Sequence, residues 1–93
     1  MNNNYTKILN RISILQMKLA DAQHLYNLYM QNYEIVRSPE YISTTTMNQS
    51  EYNKLCKKYM RQIKANNEKI MEYSKELSAL QYKLDNVYNG GNF

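Results

Sequence analysis

Between Tyr5 and Val36 the side chains suited to a core recur in strict alternation of three and four residues, through Ile8, Ile12, Leu15, Leu19, Ala22, Tyr26, Tyr29 and Tyr33. The mean interval of 3.5 is the period of a coiled-coil seam, and neither a strand nor a loop reproduces it. No Gly or Pro falls in the stretch. The spacing therefore predicts one helix over about 5–36, roughly 48 Å long at 1.5 Å per residue.

A second seam answers the first. Tyr52, Cys56, Tyr59, Ile63, Asn66, Ile70, Tyr73, Leu77, Leu80, Leu84 and Val87 alternate by four and three without a break. The second helix is expected over about 49–88, closed by Asn89-Gly90-Gly91 and followed by a short tail at 89–93, in which Gly suits the left-handed closing conformation. A link of this length between helices of similar length favours an antiparallel hairpin. With Val36 opposite Tyr52, residue numbers across the seam sum to about 88, and core positions meet core positions throughout. Asn66, the polar member, then faces Ala22, the smallest. A lone polar layer of this kind is either a device for fixing register or a weak, solvent-filled layer, and the spacing does not choose between them.

The link, 37–48, carries its own punctuation. Pro39 disfavours helix at Ser38 and suits the first position of a new turn capped by Ser38. Ser43 to Thr46 is hydroxyl-rich and β-branched, and is expected to be extended. Asn48 with Glu51 three residues on forms a capping box, and Met47 and Tyr52 are spaced as a hydrophobic staple. The fold class expected is all-α, a single 1–93 domain of two long antiparallel helices forming a coiled-coil hairpin, assembled into a bundle by oligomerisation.

The demand for a bundle comes from a second apolar line on helix 1. Ile14, Met17, Leu28 and Ile35 point away from the seam, with Leu9, Leu25 and Met30 on its flanks. A helix with an exposed back is normally charged there. These four residues are therefore candidates for an interface. Tyr41, Tyr82, Tyr88 and Phe93 join them, because they fall outside both seams and aromatic rings suit partner contact.

Other clusters carry less chemistry. Lys54, Lys57, Lys58, Arg61 and Lys64 lie at helical spacing and form a patch able to hold phosphates or an acidic partner. Residues 22–64 carry six positive and three negative charges, the remainder six and five. The patch lacks the exposed aromatic interleaving that base contact needs, so a solvated face is the plainer account. Glu68, Glu72 and Glu76 form a row at intervals of four with Lys69 and Lys75 among them, and read as solvated helix surface. Cys56 and His24 are too far apart along the hairpin to share a site, and Cys56 reads as a small core residue. No catalytic constellation, metal set or cofactor motif emerges.

Composition narrows the context. Phe, Tyr, Met, Ile, Asn and Lys supply 46 residues against 10 from Gly, Ala, Arg and Pro, a bias of AT-rich coding that fits a phage, another virus or a low-GC bacterium. Net charge is a mild +4 and the single cysteine excludes an internal disulfide. Asn10, Arg11 and Lys18 interrupt the would-be signal core at Ile8 to Leu19, and no 18-residue apolar span exists. The chain is expected to be soluble, cytoplasmic (of the host cell if viral) and without membrane insertion. The function expected is that of a non-enzymatic structural or interaction protein, a homo-oligomer or a small subunit of a larger assembly. The alternative is a nucleic-acid-associated protein using the basic patch.

Overall fold

In the computed structural model, which describes residues 3–88, the chain forms three helices: α1 (Asn3–Val36), α2 (Pro39–Thr44) and α3 (Gln49–Tyr88). α1 and α3 lie side by side along their length as a hairpin, and α2 turns the corner between them. The molecule measures 64 × 18 × 16 Å, with a radius of gyration of 20.2 Å. A compact domain of this length has a radius near 12 Å. This is a rod two helices thick.

The register follows from the two seams. All ten seam residues of α1 and all eleven of α3 are buried or half-buried. At the link end the Tyr52 hydroxyl donates to the Val36 carbonyl at 2.8 Å. Toward the open end Arg11 bonds Glu76, and between them Lys18 Nζ lies 6.0 Å from the centre of the Tyr73 ring. The first two pairs keep the numerical relation that the spacing predicts, and the long Lys18 side chain reaches about three positions beyond it.

The core is thin. Ile12, Leu15, Ala22 and Val36 are its buried apolar residues, and of these Leu15 alone is wholly enclosed. Asn66 is buried beside them, and its Nδ2 donates to the Gln62 carbonyl one turn back, at 2.8 Å. The layer at Asn66 is thus satisfied within its own helix. The Oε1 of Gln62 is enclosed without a hydrogen-bond partner.

The ends of the link form for local reasons. Ser38, in extended conformation, caps α2 by accepting from the Tyr41 N–H at 3.2 Å, with Pro39 at the first helical position. The same hydroxyl donates to the Ile35 carbonyl at 2.7 Å, so one side chain closes α1 and opens α2. α2 runs through Ser43 and Thr44, where an extended chain was expected from their β-branched and hydroxyl character. Both hydroxyls fold back instead onto the Glu40 carbonyl, at 3.0 and 2.8 Å. Such back-bonds satisfy the hydroxyls within the six-residue helix. The non-helical parts of the link are thereby reduced to Arg37–Ser38 and Thr45–Asn48. At α3 both halves of the capping box are made: Asn48 Oδ1 accepts from the Glu51 N–H at 2.9 Å, and Glu51 Oε1 from the Asn48 N–H at 3.4 Å. Met47 and Tyr52 line one hollow with Ile42, as a staple requires. α1 begins at Asn3, two residues before the first seam position. The closing Asn89-Gly90-Gly91 and the tail lie outside the described residues.

Candidate association surface

Of the eleven exposed large apolar side chains among the described residues, six lie on α1. Ile14, Met17, Leu28 and Ile35 are 45%, 68%, 41% and 58% exposed. Leu9 and Leu25 flank them and are exposed as well. The sequence explains why they share a face. Ile14, Met17, Asp21, His24, Leu28, Gln31 and Ile35 are themselves spaced by three and four, so they form a second stripe parallel to the first. At 3.6 residues per turn this stripe sits about 160° round the helix from the seam. Every one of its members is exposed. α1 is therefore apolar on two opposite sides, and α3 covers one of them.

Asp21 and His24 interrupt the stripe at its middle. Both are exposed, so the stripe consists of two apolar ends, Ile14 with Met17 and Leu28 with Ile35, about a polar centre. The other aromatic candidates diverge. Tyr82 is 68% exposed on α3. Tyr41 is half-buried, with its hydroxyl 3.9 Å from the Met47 sulfur, and belongs to the packing of the link. Phe93 and, beyond its backbone, Tyr88 lie outside the described residues.

On α3, Lys54, Lys57, Lys58, Arg61 and Lys64 are all exposed. Lys57, Arg61 and Lys64 surround the exposed side chain of Met60 in a shallow depression. Tyr59 turns into the seam and is half-buried, although Tyr26 and Tyr33 line an adjoining hollow with Lys64. The cations are brought together. An aromatic platform among them is not.

Glu76 departs from the solvated row to which spacing assigns it. Arg11 Nε donates to its Oε2 at 2.7 Å and Arg11 Nη2 to its Oε1 at 3.1 Å, a two-pronged pair across the hairpin. Sequence reasoning missed this pair, although the register carried the signal, since Arg11 lies opposite Leu77 and so beside Glu76. Cys56 is half-buried next to Tyr52, whose hydroxyl is held above its ordinary range by burial and by that thiol. His24 is on the far side of α1 from it. Among the described residues no group of three or more His, Cys, Asp or Glu could hold a metal, and no helix is long and apolar enough to cross a membrane.

No known protein family, no curated protein and no solved structure matches this chain.

Proposed function

We propose that this chain is a non-enzymatic association protein, which works by packing the outer stripe of α1 against another helix within a helical bundle. The observation that carries the proposal is the two-sided apolar character of α1, one side covered by α3 and the other open. Fully burying a side chain of the Ile, Leu or Met class is worth about 1.5–3 kcal/mol, and the four residues of the open stripe realise roughly half of that in the lone hairpin. The accessible surface supports the same reading. The chain exposes 7210 Å², where a compact protein of its mass exposes roughly 5,700 Å². The excess exceeds one partner's share of a standard interface, about 800 Å². Such a protein serves as a homo-oligomer or as a small building unit of a larger assembly, and the AT-rich composition suits a viral one.

Light scattering of the purified chain, alone and with Ile14→Glu and Leu28→Glu combined, tests this. The wild type is expected above monomer mass, and the double variant at monomer mass with helicity kept or lost only on dilution. An unchanged mass and melting temperature in the double variant overturns the proposal.

A second reading rests on the five exposed cations of α3, which suit a phosphate backbone. It ranks below the first because Tyr59 faces the seam and leaves the patch without a stacking surface of its own.

A further inference from the structure

We infer that the partner of the α1 stripe is a second copy of the same chain, packed antiparallel about a two-fold axis between Asp21 and His24. The inference rests on the association reading above and gives it a partner and a register.

The argument starts from the spacing of the stripe. When two copies of α1 run antiparallel so that facing residue numbers sum to 45, the six stripe residues from Ile14 to Gln31 map onto one another, with Ile14 against Gln31 at each edge, while Ile35 falls opposite Asn10 beyond the stripe. Met17 then faces Leu28 of the second copy, and Leu28 faces Met17. Asp21 faces His24, and His24 faces Asp21. The polar centre, which an ordinary apolar partner helix leaves unpaired, becomes two identical carboxylate–imidazole pairs related by the axis. An imidazole donates an N–H to a carboxylate whether or not it is charged, so each pair is satisfied. This is the isologous pattern of a two-fold interface.

Competing arrangements are worse. A parallel pair in register stacks Asp21 on Asp21 and His24 on His24. Changing the antiparallel sum from 45 to 42 again opposes Asp21 to Asp21, and changing it to 49 sets Asp21 against Leu28. Like charges or a stranded carboxylate penalise each of these. Net charge points the same way. Residues 22–64, the link half, carry an excess of three positive charges, and the remainder an excess of one. Antiparallel packing lays the strongly basic half of one copy beside the weakly basic half of the other, where parallel packing opposes the two basic halves. Because the stripe lies about 160° from the seam, the four long helices then form a flat layer, with the two copies of α1 inside and α3 outside.

The test is an exchange of the two central residues. Asp21→His alone sets imidazoles against each other, and His24→Asp alone sets carboxylates against each other. Each is expected to weaken the dimer about tenfold in sedimentation equilibrium at low salt. The double variant Asp21→His with His24→Asp recreates both pairs and is expected to restore the wild-type constant. In a Cys56→Ser background, a mixture of Met17→Cys chains and Leu28→Cys chains is expected to cross-link across the interface, and Met17→Cys chains alone are not. Single variants without effect, a double variant that fails to recover, or cross-linking of Met17→Cys alone each overturn the inference. If any of these occurs while Ile14→Glu with Leu28→Glu still dissociates the wild-type assembly, the association reading stands and only the arrangement falls. A wild type that stays monomeric removes both.

Discussion

Arg11 and Glu76, 65 positions apart, make a two-pronged ion pair at 2.7 and 3.1 Å that pins the open end of the hairpin. Both side chains are about two-fifths exposed, so the pair contributes little at high salt. Its effect is visible in acid. The hydrogen bonds from Arg11, with the positive charges of Arg11 and Lys18, hold the Glu76 carboxyl below the usual carboxylate range. A carboxyl lowered on folding stabilises fully above its unfolded value and loses that contribution as pH falls through the lowered one. Glu76→Gln is therefore expected to melt a few degrees below the wild type at neutral pH. The two curves should converge below the carboxylate range. Parallel curves across the whole acid range would contradict the pairing.

The bond from Tyr52 to the Val36 carbonyl ties the first turn of α3 to the last residue of α1. That carbonyl belongs to a helix end and has no partner within α1. Tyr52→Phe keeps the ring and removes the donor, so a modest fall in melting temperature is expected with no change in assembly mass. Burial, with the Cys56 thiol next, raises the Tyr52 hydroxyl above its ordinary value. A group raised on folding stabilises below its unfolded value and ceases to do so as pH climbs through the raised one. In an ultraviolet titration the Tyr52 step should therefore come above the ordinary tyrosine range, and Tyr52→Phe should remove it.

Near the middle of the hairpin two polar side chains of unequal quality are enclosed, Asn66 in the seam and Gln62 beside it. Gln62 Oε1 is enclosed and unpaired, and an unsatisfied buried acceptor costs about 1–3 kcal/mol. Gln62→Met, of similar volume, is expected to stabilise by about 1 kcal/mol, or about 4–8 °C. Asn66 is satisfied by the Gln62 carbonyl, which also belongs to the helical ladder and does not depend on it. Asn66→Leu is thus expected to raise the melting temperature while loosening the choice of register or of oligomeric state, as measured by light scattering. A less stable Asn66→Leu of unchanged mass would mean that the layer against Ala22 has no room for the larger side chain.

Replacing Lys57, Lys58 and Arg61 with Gln separates the two functional readings. Under the association reading, mass and melting temperature are unchanged, because all three side chains are exposed on α3. Tight binding of DNA or RNA at physiological salt, lost in this triple variant, would move the function to the basic patch.

The hairpin was legible because burial and period are tied together. A residue at a seam position has nowhere to point except the other helix, so the alternation of three and four carries both the helix and its partner face. The outer stripe was legible by the same rule, from Ile14, Met17, Leu28 and Ile35. What spacing could not carry were choices among rotamers. Ser43 and Thr44 read as extended residues, whereas they end α2 with their hydroxyls bonded to the Glu40 carbonyl. Tyr41 read as a candidate for partner contact, and spacing could not show that the α2 turn brings its hydroxyl back to Met47. Glu76 looked complete within its own row of carboxylates and lysines, although its partner lay across the hairpin.

The relation between facing residues has a mechanical consequence. Moving one residue outward along both helices lengthens the enclosed chain by two, so the span grows from 16 residues at Tyr52–Val36 to 65 at Arg11–Glu76. Two doublings of a closed loop cost about 1.2 kcal/mol in entropy. The cheap contacts lie beside α2, and the costly ones at the end where α1 begins and α3 closes. Such a rod closes like a zip from its link. Pulled apart at the open end, it meets load one layer at a time, first at Tyr5 and Ile8 and then at the half-exposed ion pair of Arg11 and Glu76. It should therefore peel at low force, whereas a second copy laid along α1 in the opposite direction would resist the same pull in shear.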